Sequence, residues 1–244
     1  MNARVVSLVP SATETLRALG LDPVACTRFC EQPTIPAVGG TKDPDVAAIV
    51  ALAPDLVVMN DEENRREDHQ TLRDAGLAVL VVSPRTVADV ADVVTRLARV
   101  AAVAVPAPFS AWTEWLAGRD ARPATAAPRS AVTLVWRRPW MALGADTYGA
   151  SLLAGAGIVT VPGPAADGSR YPEVTLARVR DLAPDVVLLP SEPYPFADRH
   201  RPEVTAAVPD AAVELVDGRD LFWWGIRTPA ALTRLTARLA DPGR

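Results

Sequence analysis

Apolar residues along this chain alternate between short unbroken runs and helically spaced sets, and the clearest pairing of the two occurs twice. Residues 45–59 read DVAAIVALAPDLVVM and residues 175–189 read TLARVRDLAPDVVLL, with LAPD in the same frame of each. Asp45 and Thr175 are good helix N-caps, and Val46, Ile49 and Val50 in one copy and Leu176, Val179 and Leu182 in the other follow at helical spacing. Pro54 and Pro184 then stop each helix, because proline has no amide proton and pushes the residue before it, Ala53 or Ala183, towards extended geometry. The apolar residues after each Asp form a continuous run, the pattern of a strand buried on both faces of a parallel sheet. The repeat therefore predicts two α/β lobes, each with a helix that feeds a central strand.

The remaining segments fill in the same architecture. Residues 5–9 predict a first strand, and Ser11 with Glu14 reads as a capping box for a helix that Gly20 closes. The free amides of Ala12 and Thr13 are then expected at the carboxyl edge of the sheet, where open α/β sheets bind ligands. Strands are expected at 24–27 and 78–82, and a long helix at 86–105 carries Val87, Val90, Val93, Val94, Leu97 and Val100 on its apolar side. A shorter helix at 109–118 and a linker at 119–129 separate the lobes. This gives an N-terminal lobe at 1–105, a connecting helix and linker at 106–130, and a C-terminal lobe at 131–244. The second lobe opens with a strand at 131–136 and continues through a helix capped at Asp146 or Thr147, a strand at 158–161 and the second repeat. A short helix at 197–208, a strand at 213–216, a loop at 218–227 and a last helix at 228–239 complete it.

Composition narrows the function more than the fold. A chain of 244 residues with 49% apolar content has core enough to fold without staples. Its formal net charge of -4 and the lack of any long basic run argue against nucleic acid as a partner. Nothing approaches the ~20 apolar residues of a membrane span, so no membrane insertion is expected. The N-terminal residues lack the ~7–15-residue apolar core of a secretory leader, which points to the cytoplasm as the sequence is written; a misassigned start site would instead leave a periplasmic or cell-surface protein. The two cysteines, Cys26 and Cys30, form neither a disulfide framework nor a structural zinc set. No nucleophile elbow, Walker A or G-x-G-x-x-G motif occurs, and Gly39-Gly40-Thr41-Lys42 is too short for a phosphate loop, so no enzyme is expected.

SLVPSATETL at 7–16, GG-x3-PDVAAIVALAPDLVV at 39–58, LARVRDLAPDVVLLPSEPYPF at 176–196 and FWWGIRTPAAL at 222–232 resemble the vitamin B12 and siderophore binding proteins of ABC importers, the helical-backbone metal receptors. The resemblance covers nearly the whole chain. It implies two Rossmann-like α/β lobes with parallel-rich sheets, joined by a connecting helix, with a corrinoid (cobalamin-like) or other metal chelate such as a ferric siderophore in the cleft between lobes. It also implies non-catalytic binding by a monomer, no intrinsic cofactor, and an ABC permease as partner unless the chain is a cytoplasmic carrier. The competing readings are an enzyme acting on a corrinoid or similar cofactor in the same cleft, and a protein-interaction or sensor module.

A corrinoid or chelate presents a broad apolar face with polar arms, so its pocket wants aromatic rings and a few converging polar groups. Aromatics make up only 5% of the chain, yet most fall in the loops that follow strands. Phe29, Trp136, Trp140, Tyr171, Tyr194, Phe196, Trp223 and Trp224 are the candidate ligand contacts, with Trp224 foremost and Trp140 next. Covering the sheet ends is the plainer role for any one of them. Arg227 is a candidate for a carboxylate or phosphate arm, or for an ion pair with Asp217 or Asp220. Cys30 lies in a loop resembling the family's Cys-containing loop and is a candidate soft metal ligand. Glu67 and Glu192 follow the matched strands and, by the resemblance, are candidates to dock on permease arginines, though surface glutamates are common. His69 and His200 read as exposed.

Overall fold

The computed structural model describes residues 3–117, 128–163, 165 and 167–240. The chain divides into two compact units, one made of Met1–Pro84, Ala88–Ala117 and Trp224–Ile226, the other of Arg85–Val87, Gly118–Trp223 and Arg227–Arg244. Most of the linker expected at 119–129, up to residue 127, lies outside the described residues.

The first unit runs β1 (Val5–Ser7), α1 (Pro10–Ala18), β2 (Ala25–Cys26), α2 (Val46–Ala51), β3 (Leu56–Met59), α3 (Arg66–Asp74), β4 (Val79–Val81), α4 (Asp89–Val100) and α5 (Ala107–Ala117). Its sheet has the order β2-β1-β3-β4 and every pairing is parallel. Val6 on β1 and Val57 and Met59 on β3 pack with Ile49 of α2 and Leu72 of α3 in one buried cluster. Val5 and Val58 are equally buried and, by alternation along the strands, face the other way. Burying such a side chain is worth about 1.5–3 kcal/mol, so these few positions hold the layers together.

The second unit runs β5 (Arg129–Trp136), β6 (Met141–Ala142), α6 (Tyr148–Gly155), β7 (Ile158–Thr160), α7 (Leu176–Asp181), β8 (Val186–Pro190), α8 (Arg201–Ala207), β9 (Ala212–Val216), α9 (Gly218–Phe222) and α10 (Thr228–Ala240). Strand β5 lies between β7 and β8, with β9 outside β8, all parallel. The short β6 folds back antiparallel on the far half of β5. Val132, Leu134, Val187 and Leu189 of the sheet pack with Val179 of α7 and Val204 of α8. The α/β class and parallel-rich sheets that the repeat predicts are both present.

Both repeats are built alike. The Asp45 carboxylate accepts from the Ala48 amide at 2.9 Å and the Thr175 hydroxyl from the Arg178 amide at 3.1 Å. Asp55 accepts from the Arg4 amide at 2.8 Å, and Asp185 accepts from the Ser130 amide at 2.6 Å and its hydroxyl at 2.8 Å. Each LAPD aspartate thus pins its strand to the start of the neighbouring strand. The Ser130 amide holds the Asp185 carboxyl below the usual carboxylate range.

Four local expectations are corrected. Ala53 and Ala183 leave the right-handed helix for the left-handed region, at φ 44° and 45°, rather than for extended geometry. There the Ala53 amide reaches the Val50 carbonyl and the Ala183 amide the Arg180 carbonyl, which closes each helix end tightly. Helix α1 starts at Pro10 with Val9 as its cap, so Ser11 sits inside the first turn, there is no capping box, and the Thr13 amide is taken by the Val9 carbonyl. Proline is favoured at the first helical position because its missing amide is no loss there. The helix expected at 86–105 is only α4, ended by Ala102 at φ 54° with the Val103 amide bonded to the Ala98 carbonyl. The loop expected at 218–227 begins with α9, capped by the Asp217 carboxylate on the Arg219 amide at 2.9 Å.

An L-residue in the left-handed region is strained by roughly 1–2 kcal/mol, and glycine relieves that strain while adding entropy to the unfolded chain. Ala53→Gly and Ala183→Gly are expected to be neutral or stabilising by up to about 1 kcal/mol, whereas Ala48→Gly inside α2 costs about 1 kcal/mol. Urea unfolding midpoints of the three variants check the contrast.

Candidate functional site

In the second unit the strands deliver ring-bearing segments to the carboxyl edge of the sheet. Trp136 ends β5, Trp140 precedes β6, and Tyr194 and Phe196 lie just after β8. The Trp136 ring meets Tyr194 edge-on at 5.6 Å, Tyr194 lies 4.6 Å from Phe196, and Phe196 stacks parallel to Trp140 at 6.1 Å. Four of the sequence candidates therefore form one cluster. Trp136, 43% exposed, is its open face, and Phe196 is its buried base. Tyr171 is half-buried on the segment into α7, whose next residues run beside β6: the Ala142 amide bonds the Pro172 carbonyl at 2.9 Å.

Charges frame the rings. Arg137 pairs with Glu203 at 2.8 Å and stands over the Trp140 ring at 5.8 Å. His200, expected on the surface, is instead 5% exposed between Tyr194 and Phe196, with ring centroids 5.5 Å from each. Its Nδ1 accepts from the Ala197 amide at 3.0 Å, so the neutral ring fits the site. Burial, then the Arg199 and Arg137 charges, lower its pKa below the ordinary 6.5.

The last loops form a second group in the same unit. Glu192 accepts from the Trp223 indole at 3.0 Å and the Arg219 guanidinium at 3.3 Å. The guanidinium carbons of Arg219 and Arg227 each lie 5.5 Å from the Trp223 ring centre. Arg227 is 4.0 Å from Asp220, and that buried carboxylate is gripped in a fork by Arg234, with both bonds 2.6 Å. A cavity of about 470 Å³ beside this group is lined by Ser191, Glu192, Phe196, Leu215, Val216, Asp217 and Arg219. Gly218 permits the approach, since a Cβ there would overlap the Glu192 backbone.

Of the first-unit candidates, Phe29 and Cys30 share the turn Arg28–Cys30, whereas Glu67 lies on α3 and Trp224 follows α9. Phe29 is 49% exposed with the Arg28 guanidinium 4.8 Å above its ring. Cys30 is buried, and among the described residues no three His, Cys, Asp or Glu side chains gather to hold a metal. Glu67 is exposed in the first turn of α3. Trp224 is only 4% exposed, so its ring is a packing element here. After it, Gly225, at φ 114°, lies against Thr15 of α1, whose hydroxyl accepts from the Ile226 amide at 3.3 Å.

One polar knot escaped the sequence reading. Asn60 and Asn64 follow β3 and are buried. Asn60 donates to the Val82 carbonyl at 2.9 Å and accepts from the Glu62 amide at 2.7 Å; Asn64 donates to the Leu8 carbonyl at 3.1 Å and the Thr41 carbonyl at 3.0 Å. Three strand ends and one loop are tied together this way. Two asparagines four apart, directly after a buried strand, were the available signal.

Because the His200 pKa is lowered in the fold, the unfolded chain takes up this proton first, and the neutral ring's contribution is complete above pH ~6.5 and lost as pH falls through the folded-state value. In urea unfolding midpoints followed as pH is lowered through that range, wild type is expected to lose more stability than His200→Phe, which keeps a ring but does not titrate. Trp224→Ala is expected to destabilise the fold by about 3–5 kcal/mol, read in the same unfolding assay.

The fold and these groups can be set beside known proteins. A family model described as periplasmic binding protein matches residues 5–201. No curated protein matches the chain. Among solved structures, the periplasmic vitamin B12 binding protein BtuF of Vibrio cholerae is 20% identical with a TM-score of 0.80, covering 99% of this chain and 98% of that one. The periplasmic heme-binding protein BhuT, solved with two hemes, is 23% identical with a TM-score of 0.78 and 99% coverage of both chains. The periplasmic heme-binding protein RhuT from Roseiflexus sp. RS-1 is 22% identical, with a TM-score of 0.73 and 100% coverage of both. At such identities these likenesses establish the fold alone. No helix among the described residues is long and apolar enough to cross a membrane. The family match runs through both LAPD repeats, and the chain belongs to the periplasmic binding protein family, whose members bind solutes without catalysis.

Proposed function

We propose that this chain is the solute-binding component of an ABC importer and that its cargo is a metal chelate with a broad flat face, a cobalamin-like corrinoid first and a heme or ferric siderophore next. The observation that carries this reading is the ring cluster of Trp136, Trp140, Tyr194 and Phe196 at the carboxyl edge of the second sheet, with Trp136 exposed. An exposed indole backed by packed rings is a rigid surface for stacking a macrocycle, and it loses little entropy on binding. Structures of the same fold are described as binding vitamin B12 or heme, which supports the ligand class. In this reading a carboxylate or amide arm meets Arg137 beside the cluster, in exchange for its pairing with Glu203.

The permease contacts follow the same reading. Glu67 is exposed and available to a partner arginine, whereas Glu192 already holds Arg219 and Trp223, so docking there exchanges one arginine for another. Charges at such a rim set association rate and salt dependence more than affinity. Membership of a periplasmic binding protein family favours a site of action outside the cytoplasm.

Titration of the purified chain with cyanocobalamin, dicyanocobinamide, hemin and a ferric hydroxamate, followed by tryptophan fluorescence and calorimetry, tests the proposal. Binding of at least one chelate at tens of micromolar or tighter is expected, and silence with all four ends the reading. Trp136→Ala is expected to weaken that binding about tenfold or more, since one aromatic face is worth ~1–3 kcal/mol. Unchanged affinity in the variant removes the ring cluster from the site.

A further inference from the structure

The chain's two cysteines lie together in the first unit, where the proposed ligand contacts make no use of them. Cys26 ends β2, and Cys30 ends the 3-10 turn Arg28–Cys30 that follows. With Ile35 their side chains form a small buried cluster, and each cysteine is 1% exposed. The Cys30 sulfur lies 3.2 Å from the Thr13 hydroxyl and 3.2 Å from the Thr27 hydroxyl, and Cys26 packs beside it in the same cluster. Thr13 shares its one hydroxyl proton between the Cys30 sulfur and the Val9 carbonyl at 3.0 Å, and between Thr27 and Cys30 either group can donate; a hydroxyl that donates here steadies charge on Cys30, and among the described residues none stands at Cys26. Negative charge is therefore favoured on one sulfur and disfavoured on the other. The Cys26 hydrogen bond is the largest cause that lowers the Cys30 thiol to about 6, and the same bond, with burial, pushes Cys26 up.

Two free thiols packed in one cluster, one of them within reach of two hydroxyls, give disulfide exchange the two sulfurs it requires, one to attack and one to resolve. We propose that Cys26 and Cys30 are a redox-active dithiol, a site that a small disulfide oxidises to an intramolecular disulfide. In the first step the Cys30 thiolate attacks one sulfur of the oxidant RSSR, and one RS⁻ leaves. Cys26 then gives its proton to solvent, its sulfur attacks the Cys30 sulfur of the mixed disulfide, and the second RS⁻ leaves. Two electrons pass from the cysteine pair to the oxidant, which is reduced to two thiolates. The buried sulfurs are reached by local opening: β2 is only two residues long, held by β1 on one side and by a single bridge from Cys26 to Ala37 on the other, and Arg28, Phe29 and Glu31 around the turn are exposed. Closing the bond ties the end of that strand to the turn that carries Phe29.

The full reduced chain, treated near neutral pH with the aromatic disulfide dithiobis-nitrobenzoate, is expected to release two aromatic thiolates per chain and to show by mass an internal disulfide with no adduct. Cys26→Ser is expected to release one and keep the adduct on Cys30. Cys30→Ser is expected to react about tenfold more slowly or less, because its remaining thiol stays protonated. A wild-type chain that retains a stable aromatic adduct overturns the proposal without reference to any variant, and so do equal rates in the two single variants. Thermal unfolding by circular dichroism identifies a misfolded variant, in which case the matching Cys→Ala substitution takes its place.

Discussion

The fold depends on how each repeat turns from helix into strand. At LAPD an alanine bends into the left-handed region, a proline forbids the helix to resume, and an aspartate grips the start of the neighbouring strand. The strand that follows then enters the middle of its sheet, β3 between β1 and β4 and β8 between β5 and β9. A strand with partners on both sides has no freedom of register, and its apolar residues pay off on both faces. Whatever leaves its carboxyl end is consequently held in a fixed place, which suits a binding site.

The two copies part company at that exit. After β3 the chain reads Asn60 to Asn64, and the two asparagines stitch strand ends with hydrogen bonds, leaving a polar, closed edge. After β8 it reads Ser191 to Phe196, and the side chains join Trp136 and Trp140 in a ring cluster with Trp136 exposed. One scaffold thus ends in a knot in one unit and a stacking surface in the other. The difference lies in a handful of residues beyond identical corners, which is how a fold takes on a ligand without changing its core.

The charged residues near the second edge are spent mainly on holding geometry. Asp220 is buried and is satisfied by Arg234 in a bidentate pair, the arrangement that makes a desolvated carboxylate tolerable. Glu192 joins Arg219 to the indole of Trp223, so that ring is fixed by its polar edge rather than by packing alone. His200 is held towards the neutral form between two rings by burial first and then by the Arg199 and Arg137 charges, while its Nδ1 accepts the Ala197 amide. In the first unit the same economy appears with sulfur, where two threonine hydroxyls and one thiol surround Cys30.

The amino-acid sequence by itself determined the local grammar: the caps at Asp45 and Thr175, the helix ends before Pro54 and Pro184, the buried strands after each Asp, and the crowding of aromatic residues into exit loops. Those features act over a few residues, so spacing and residue type reveal them. It also showed Arg227 to have a choice between a ligand arm and an acid, and the fold brings it to 4.0 Å from Asp220. Only tertiary structure decided which rings cluster and which are buried. Trp223 and Trp224 are adjacent in sequence, yet one lies beneath two arginines and the other is packed in the first unit with the Gly225 and Ile226 that rest on Thr15. His200 reads as solvent-facing among arginines until the strands set Tyr194 and Phe196 around it. Burial and contact arise from segments distant along the chain, and no local pattern records them.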